Sequence, residues 1–127
     1  MHLHRFPHRD GNSLAELIFE SICALMPMRH HTIDPQLSIV ERMEAETPVI
    51  ASDLNSTPEL IRHGHNGMLI PVGDTQAAIG AVEELLSDRE RARAMGIAAA
   101  EEVRTNWSWD RYQKRLIELY ESILEKR

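Results

Sequence analysis

Thr47-Pro48-Val49-Ile50-Ala51-Ser52-Asp53-Leu54-Asn55-Ser56-Thr57-Pro58-Glu59-Leu60-Ile61-Arg62-His63-Gly64-His65-Asn66-Gly67-Met68-Leu69-Ile70-Pro71-Val72-Gly73-Asp74 is the run that decides the fold. A short apolar strand, Val49 to Ala51, enters a polar turn, Ser52 to Thr57, and Pro58 starts a short helix. A glycine-punctuated turn leads to a second strand, Met68 to Ile70, which Pro71, Gly73 and Asp74 close. Strand, turn, helix, strand is the order of a parallel α/β sheet. In such sheets ligands sit outside the carboxyl ends of the strands, where the Ser52–Thr57 turn is expected.

Outward from that run, composition sets the bounds. The chain has 127 residues, enough for one domain or a piece of one. Hydrophobic residues make up 43% and aromatic ones 5%, so the expected core is aliphatic. A net charge of −6 lacks the basic stripe of a nucleic-acid surface, and no nucleic-acid partner is expected. The single cysteine, Cys23, forms no internal disulfide and fits a reducing, cytoplasmic setting. It lies in an apolar run and reads as a packed thiol rather than a nucleophile. The most apolar stretch, Leu14 to Met26, is too short to span a membrane and carries Glu16 and Glu20, so neither a transmembrane segment nor a signal peptide is expected.

The flanks read as helical. Ser13-Leu14-Ala15-Glu16 is a capping-box pattern, and Leu14, Leu17, Ile18, Ile22 and Leu25 follow at helical spacing until Pro27. A second helix is expected over Leu37 to Ala45, with Val40 and Met43 inward. Asp74 is placed to cap a helix through Leu86. Ser87-Asp88-Arg89-Glu90 opens another, with Ala92, Met95, Ala99 and Val103 on one face. Gly96 inside that helix costs about 1 kcal/mol relative to alanine and implies close helix packing. Asn106 or Ser108 restarts a last helix, whose stripe of Trp109, Tyr112, Leu116, Leu119, Tyr120 and Ile123 is expected to anchor the core.

Several of these motifs together resemble the nucleotide-sugar-binding lobe of retaining GT-B glycosyltransferases of the large group-one family. The block Glu41-Arg42-Met43-Glu44-Ala45-Glu46-Thr47-Pro48-Val49-Ile50-Ala51-Ser52 is similar to the family's Glu-Ala-Met-Ala-x-Gly-Thr-Pro-Val-Ile-Ala-Ser. Pro58-Glu59-Leu60-Ile61, then Gly64-His65-Asn66-Gly67-Met68-Leu69-Ile70-Pro71-Val72-Gly73-Asp74, follow in the family's order, and Trp107-Ser108-Trp109 and Leu116-Ile117-Glu118-Leu119-Tyr120 resemble its tail. The likeness covers about 37 to 125. It implies a partial Rossmann-like α/β fold, with few short parallel strands, several helices and a helix-rich C-terminus. Residues 1–36 then form an atypical N-terminal segment with one predicted helix, and 37–127 a partial donor-binding domain. The acceptor domain, and the basic residues that clamp the diphosphate, are expected to lie outside this sequence.

The resemblance also assigns roles. Glu41 falls on the second Glu of the family's Glu-x7-Glu signature, which accepts hydrogen bonds from the nucleotide ribose. The first Glu falls on Ile33, and the glycines of its turn on Asp34 and Gln36. Gln36 would hinder close backbone approach to a phosphate. Arg42 stands where the family prefers Ala, and Glu46 where it prefers a glycine suited to φ > 0. Ser52, Asn55 and Ser56 line the turn that would border the donor's pyrophosphate and sugar. Read from the residues alone, Asp53 and Asn55 also suit a turn that uses their tolerance of the left-handed region. Glu41 is equally readable as a solvated helix carboxylate, and Glu59 as a helix-start carboxylate.

His63-Gly64-His65 has a His-x-His spacing without a third ligand nearby, and His2, His4, His8, His30 and His31 form no patterned set, so no metal site is expected. The family reaction moves a sugar from a nucleoside diphosphate sugar to an acceptor hydroxyl with retention, and the resemblance implies that it needs neither metal nor cofactor. The isolated chain is expected to be inactive, with no catalytic residue of its own assigned. A complementary domain or self-association is expected to cover its open faces, because in the family the last helix crosses back to the acceptor domain. Two other readings stand beside this one: a catalytically silent nucleotide-binding or partner-docking lobe, and a small helical interaction module.

Overall fold

The computed structural model describes residues 14–30 and 36–127, so Ser13, Ile33 and Asp34 lie outside the described residues, as do His2, His4, His8 and His31. In chain order the elements are α1 (Leu14–Glu20), β1 (Ala24–Met26), α2 (Leu37–Glu44), β2 (Val49–Ser52), α3 (Thr57–Leu60), β3 (Met68–Ile70), α4 (Thr75–Ser87), α5 (Arg89–Asn106) and α6 (Trp109–Glu125). The three strands form one parallel sheet in the order β1-β2-β3. This is the α/β class, with short parallel strands and a helix-rich C-terminus, that the sequence implied.

Side-chain alternation along the strands divides the core between the two sheet faces. Val49 and Ala51 pack with Ile39 and Met43 of α2 and with Leu60, Ile61, Ala99 and Val103. Ile50, Met68 and Ile70 face the other way, against Ala78, Ala81 and Leu85 of α4 and Ala92 and Met95 of α5. Helix α5 therefore contributes to both faces. In α2 Met43 is fully buried and Val40 packs half-buried against the core, as expected, and Ile39 joins them as a second fully buried residue.

The first strand corrects the sequence reading. The helix expected to run from Leu14 towards Pro27 ends at Glu20, and Ala24–Met26 is a strand paired in parallel with Val49–Ala51. Ser21 leaves the helix after a last turn closed on Ile18. Ala24 N–H then donates to the Pro48 carbonyl at 2.8 Å, which draws the chain onto the sheet. A short apolar run fits helix or strand equally well, and here the neighbouring strand decides.

Helix ends follow the expected chemistry with one shift. Asp74 caps α4 by accepting from Ala77 N–H at 2.9 Å. Asp88, rather than Ser87, caps α5, accepting from Arg91 N–H at 2.9 Å, while Ser87 belongs to the end of α4. Ser108 starts α6, accepting from Arg111 N–H. Helix α2 ends in paired bonds, Glu46 N–H to Met43 O and Thr47 N–H to Arg42 O, with Glu46 at φ 58°. That is the Schellman arrangement, in which the residue after the cap is left-handed.

The aromatic stripe of α6 departs from expectation. No residue of α6 is buried, and Trp109, Tyr112, Leu119 and Tyr120 are all more than half exposed. The helix is amphipathic, yet among the described residues nothing covers its apolar side.

Candidate functional site

The carboxyl ends of all three strands open on one side of the sheet, and a cleft of about 320 Å³ lies there. Leu25 and Pro27 from the end of β1, Ser52 from β2 and Ile70 from β3 line it. Gly73, Asp74 and Thr75 at the start of α4 close the far side, with Ala78 and Ile79 behind them and Arg29 as the cation of the lining. The walls are mainly apolar, and the polar groups are few, as in small-molecule pockets. Leu25 shares the β2 face of Ile50 but remains half-exposed, and this leaves the cleft open above β1.

Ser52 is the most informative residue of the four expected at the donor side. It is 2% exposed, and its hydroxyl has no hydrogen-bond partner among the described residues. Buried hydroxyls are almost always paired, so an orphan beside a cleft is an exception that calls for an explanation. Asp53 N–H donates to Ile70 O at 2.8 Å, which continues the sheet one residue further and fixes the start of the turn.

Asn55 and Ser56 lie in that turn but do not line the cleft. Asn55 sits at φ 54°, the conformation its side chain tolerates. Ser56 precedes α3 without capping it through its side chain. Glu41 lies in the middle of α2, on the opposite face of the sheet from α4, with an exposed carboxylate 3.4 Å from Arg42 Nη1. The structure thus joins Ser52 to the β1 loop and the α4 start, and leaves Glu41 apart from them.

The turn before β3 has a structural explanation. Asn66 is fully buried, accepting from Arg62 N–H at 2.6 Å and donating to Leu60 O at 3.1 Å. His63 Nδ1 accepts from Leu69 N–H at 3.0 Å, so this ring nitrogen is engaged by backbone. No group of three metal-ligating side chains occurs among the described residues. Burial pushes the Cys23 thiol above its ordinary pKa, which keeps it protonated. Asn66 was not singled out by sequence, although its place between two glycines was a signal for an ordered turn.

The family model described as Glycosyl transferases group 1 matches residues 3–88. The chain belongs to this family. The match takes in β1, which the sequence likeness had left outside. A GDP-mannose-dependent alpha-(1-6)-phosphatidylinositol monomannoside mannosyltransferase of Mycobacterium tuberculosis is 38% identical over 77 residues, 61% of this chain and 20% of that protein. An N-acetyl-alpha-D-glucosaminyl L-malate synthase of Bacillus anthracis is 30% identical over 112 residues, 88% of this chain and 28% of that protein. Among solved structures, sucrose-phosphate synthase from Thermosynechococcus elongatus superposes with a TM-score of 0.70 at 25% identity, covering 81% of this chain and 25% of that one. TarM superposes at 0.68 and 20% identity, over 83% and 21%, and supports the GT-B fold alone. This group 1 glycosyltransferase chain thus spans 20% and 28% of the length of these two relatives. No helix among its described residues is long and apolar enough to cross a membrane.

Proposed function

We propose that this chain is the donor-side portion of a retaining glycosyltransferase that moves a sugar from a nucleoside diphosphate sugar to an acceptor hydroxyl. The observation that carries the reading is the cleft at the carboxyl edge of the parallel sheet, with the unpartnered Ser52 hydroxyl at its base. That edge is where α/β sheets of this class bind nucleotides. Ser52 and the following turn border the pyrophosphate and sugar, and Arg29 supplies positive charge for the phosphates. The family resemblance assigns Glu41 the vicinal ribose hydroxyls, with its exposed carboxylate held on α2, outside the cleft itself. The family resemblance supports a transfer that needs no metal, and the single cysteine, Cys23, fits a reducing cytoplasmic setting.

Among the described residues no group is placed to orient an acceptor hydroxyl, and such orientation is worth about 7–11 kcal/mol of barrier. This chain is therefore expected to bind nucleotide weakly without turning over. Titration calorimetry with GDP and UDP is the test. GDP is included because a relative is named for its dependence on GDP-mannose. Measurable heats with either nucleotide and no sugar transfer are expected; silence with both defeats the donor-side reading.

A further inference from the structure

We propose, on the reading of Glu41 as the ribose ligand, that Arg42 is its positioning residue and holds the carboxylate where the ribose hydroxyls of a donor nucleotide meet it. Arg42 Nη1 donates to the Ser38 carbonyl at 3.1 Å and stands 3.4 Å from Glu41 Oε2. Nη1 carries two N–H bonds, so one nitrogen serves a backbone acceptor and a carboxylate together. The arginine side chain is only 20% exposed, whereas that of Glu41 is 67% exposed. Arg42 lines the groove between the end of α1 and β1, beside Leu17, Ile18 and Cys23. Thr47 Oγ1 donates to Ile18 O at 2.9 Å and pins the end of α1 at that groove.

Arg42 is thus fixed twice, by packing along its stem and by Ser38 O at its tip. Glu41 alone would be an exposed carboxylate with several rotamers, and a ligand that binds it must stop that motion. A fixed cation beside one oxygen removes part of this freedom before the nucleotide arrives. At 3.4 Å the contact is longer than the about 2.7–2.9 Å of a full charge-assisted bond. Oε1 and a lone pair of Oε2 therefore stay available to two vicinal hydroxyls. Alanine, which the family prefers at this position, has no group that could act in this way. The device belongs to this chain's own departure at Arg42.

Calorimetry with GDP, UDP and their 2′,3′-dideoxy analogues tests the role. Arg42→Met keeps an apolar stem in the groove and removes the charged fork. It is expected to weaken binding of the nucleotide at least about threefold, as coupled neighbours do. Affinity for the dideoxy analogue is expected to stay unchanged, because that ligand offers Glu41 no hydroxyl. In a Glu41→Ala background Arg42→Met is expected to have no further effect. Arg42→Ala gives the same comparison where the methionine disturbs melting. A loss that persists with the dideoxy analogue or in the Glu41→Ala background overturns the proposal, since Arg42 would then act on the phosphates directly. Wild-type affinity in both Arg42 variants overturns it as well. A Glu41→Ala protein that binds every ligand as the wild type does defeats the reading of Glu41 itself, and the positioning role with it.

Discussion

Gly96 of α5 and Glu46, just past α2, meet backbone to backbone: a Cβ at position 96 would stand 2.0 Å from the Glu46 carbonyl oxygen and 2.7 Å from its carbonyl carbon. Pro48 Cδ would lie 3.3 Å away on the other side. The glycine lets α5 cross directly over the turn that joins α2 to β2. That contact fixes the helix carrying Glu41 relative to the strand carrying Ser52.

Gly96→Ala should therefore destabilise the protein by about 1–3 kcal/mol through overpacking against backbone that cannot yield. Helix propensity alone predicts the opposite sign, a gain of about 1 kcal/mol. Urea denaturation followed by circular dichroism separates the two. An unchanged or raised midpoint would show that α5 can slide away from Glu46.

Glu46→Gly should act in the stabilising direction, by up to about 1 kcal/mol, since a left-handed residue with a Cβ is strained. The Arg104–Glu46 pair, 3.8 Å apart and exposed on both sides, is worth little against that gain. The hydrogen bond from Arg104 to Glu44 O remains in the variant. A lower denaturation midpoint would mean that the ion pair or the added chain entropy outweighs the strain.

Ser52→Ala removes a buried hydroxyl without a partner and is expected to leave unliganded stability unchanged or slightly higher. Affinity for a nucleoside diphosphate should fall by about 1 kcal/mol, the net worth of one hydrogen bond. Thermal melting and calorimetry on the same samples read both effects. Loss of stability with no change in binding would take Ser52 out of the site.

Glu41→Gln should weaken nucleotide binding by about 1–3 kcal/mol, as expected for a charge-assisted hydrogen bond. Stability should hardly move, because the Glu41–Arg42 pair is exposed on the carboxylate side. Equal affinities for wild type and variant would reduce Glu41 to a solvated helix carboxylate.

Much of the scaffold was legible because its signals are local. The strand at Val49, the turn, the helix at Thr57–Leu60 and the strand at Met68 were each bounded by proline, glycine, asparagine or aspartate in the order found. The cap at Asp74 was readable because it depends on one residue and its immediate neighbours, whereas the left-handed position at Glu46 was implied only by the family's glycine there. Strand β1 was not, since three apolar residues acquire a strand's character only when Pro48 and β2 offer them hydrogen bonds. The signal for the cleft was hidden by the same error: only a strand ending at Met26 brings Pro27 and Arg29 to the sheet's carboxyl edge.

By itself the sequence determined which segments form helix and strand around residues 47–74, which family the chain belongs to, and that Gly96 must admit something close. Tertiary structure decided what that something is, the carbonyl of Glu46. Among the described residues it also left the Ser52 hydroxyl without a partner, placed Glu41 across the sheet from the cleft and kept the aromatic stripe of α6 uncovered. Periodicity reports which side chains share a face, because that follows from helix and strand geometry along one chain. Whether a face is covered, or a polar group paired, depends on atoms distant in sequence, and no local pattern encodes them.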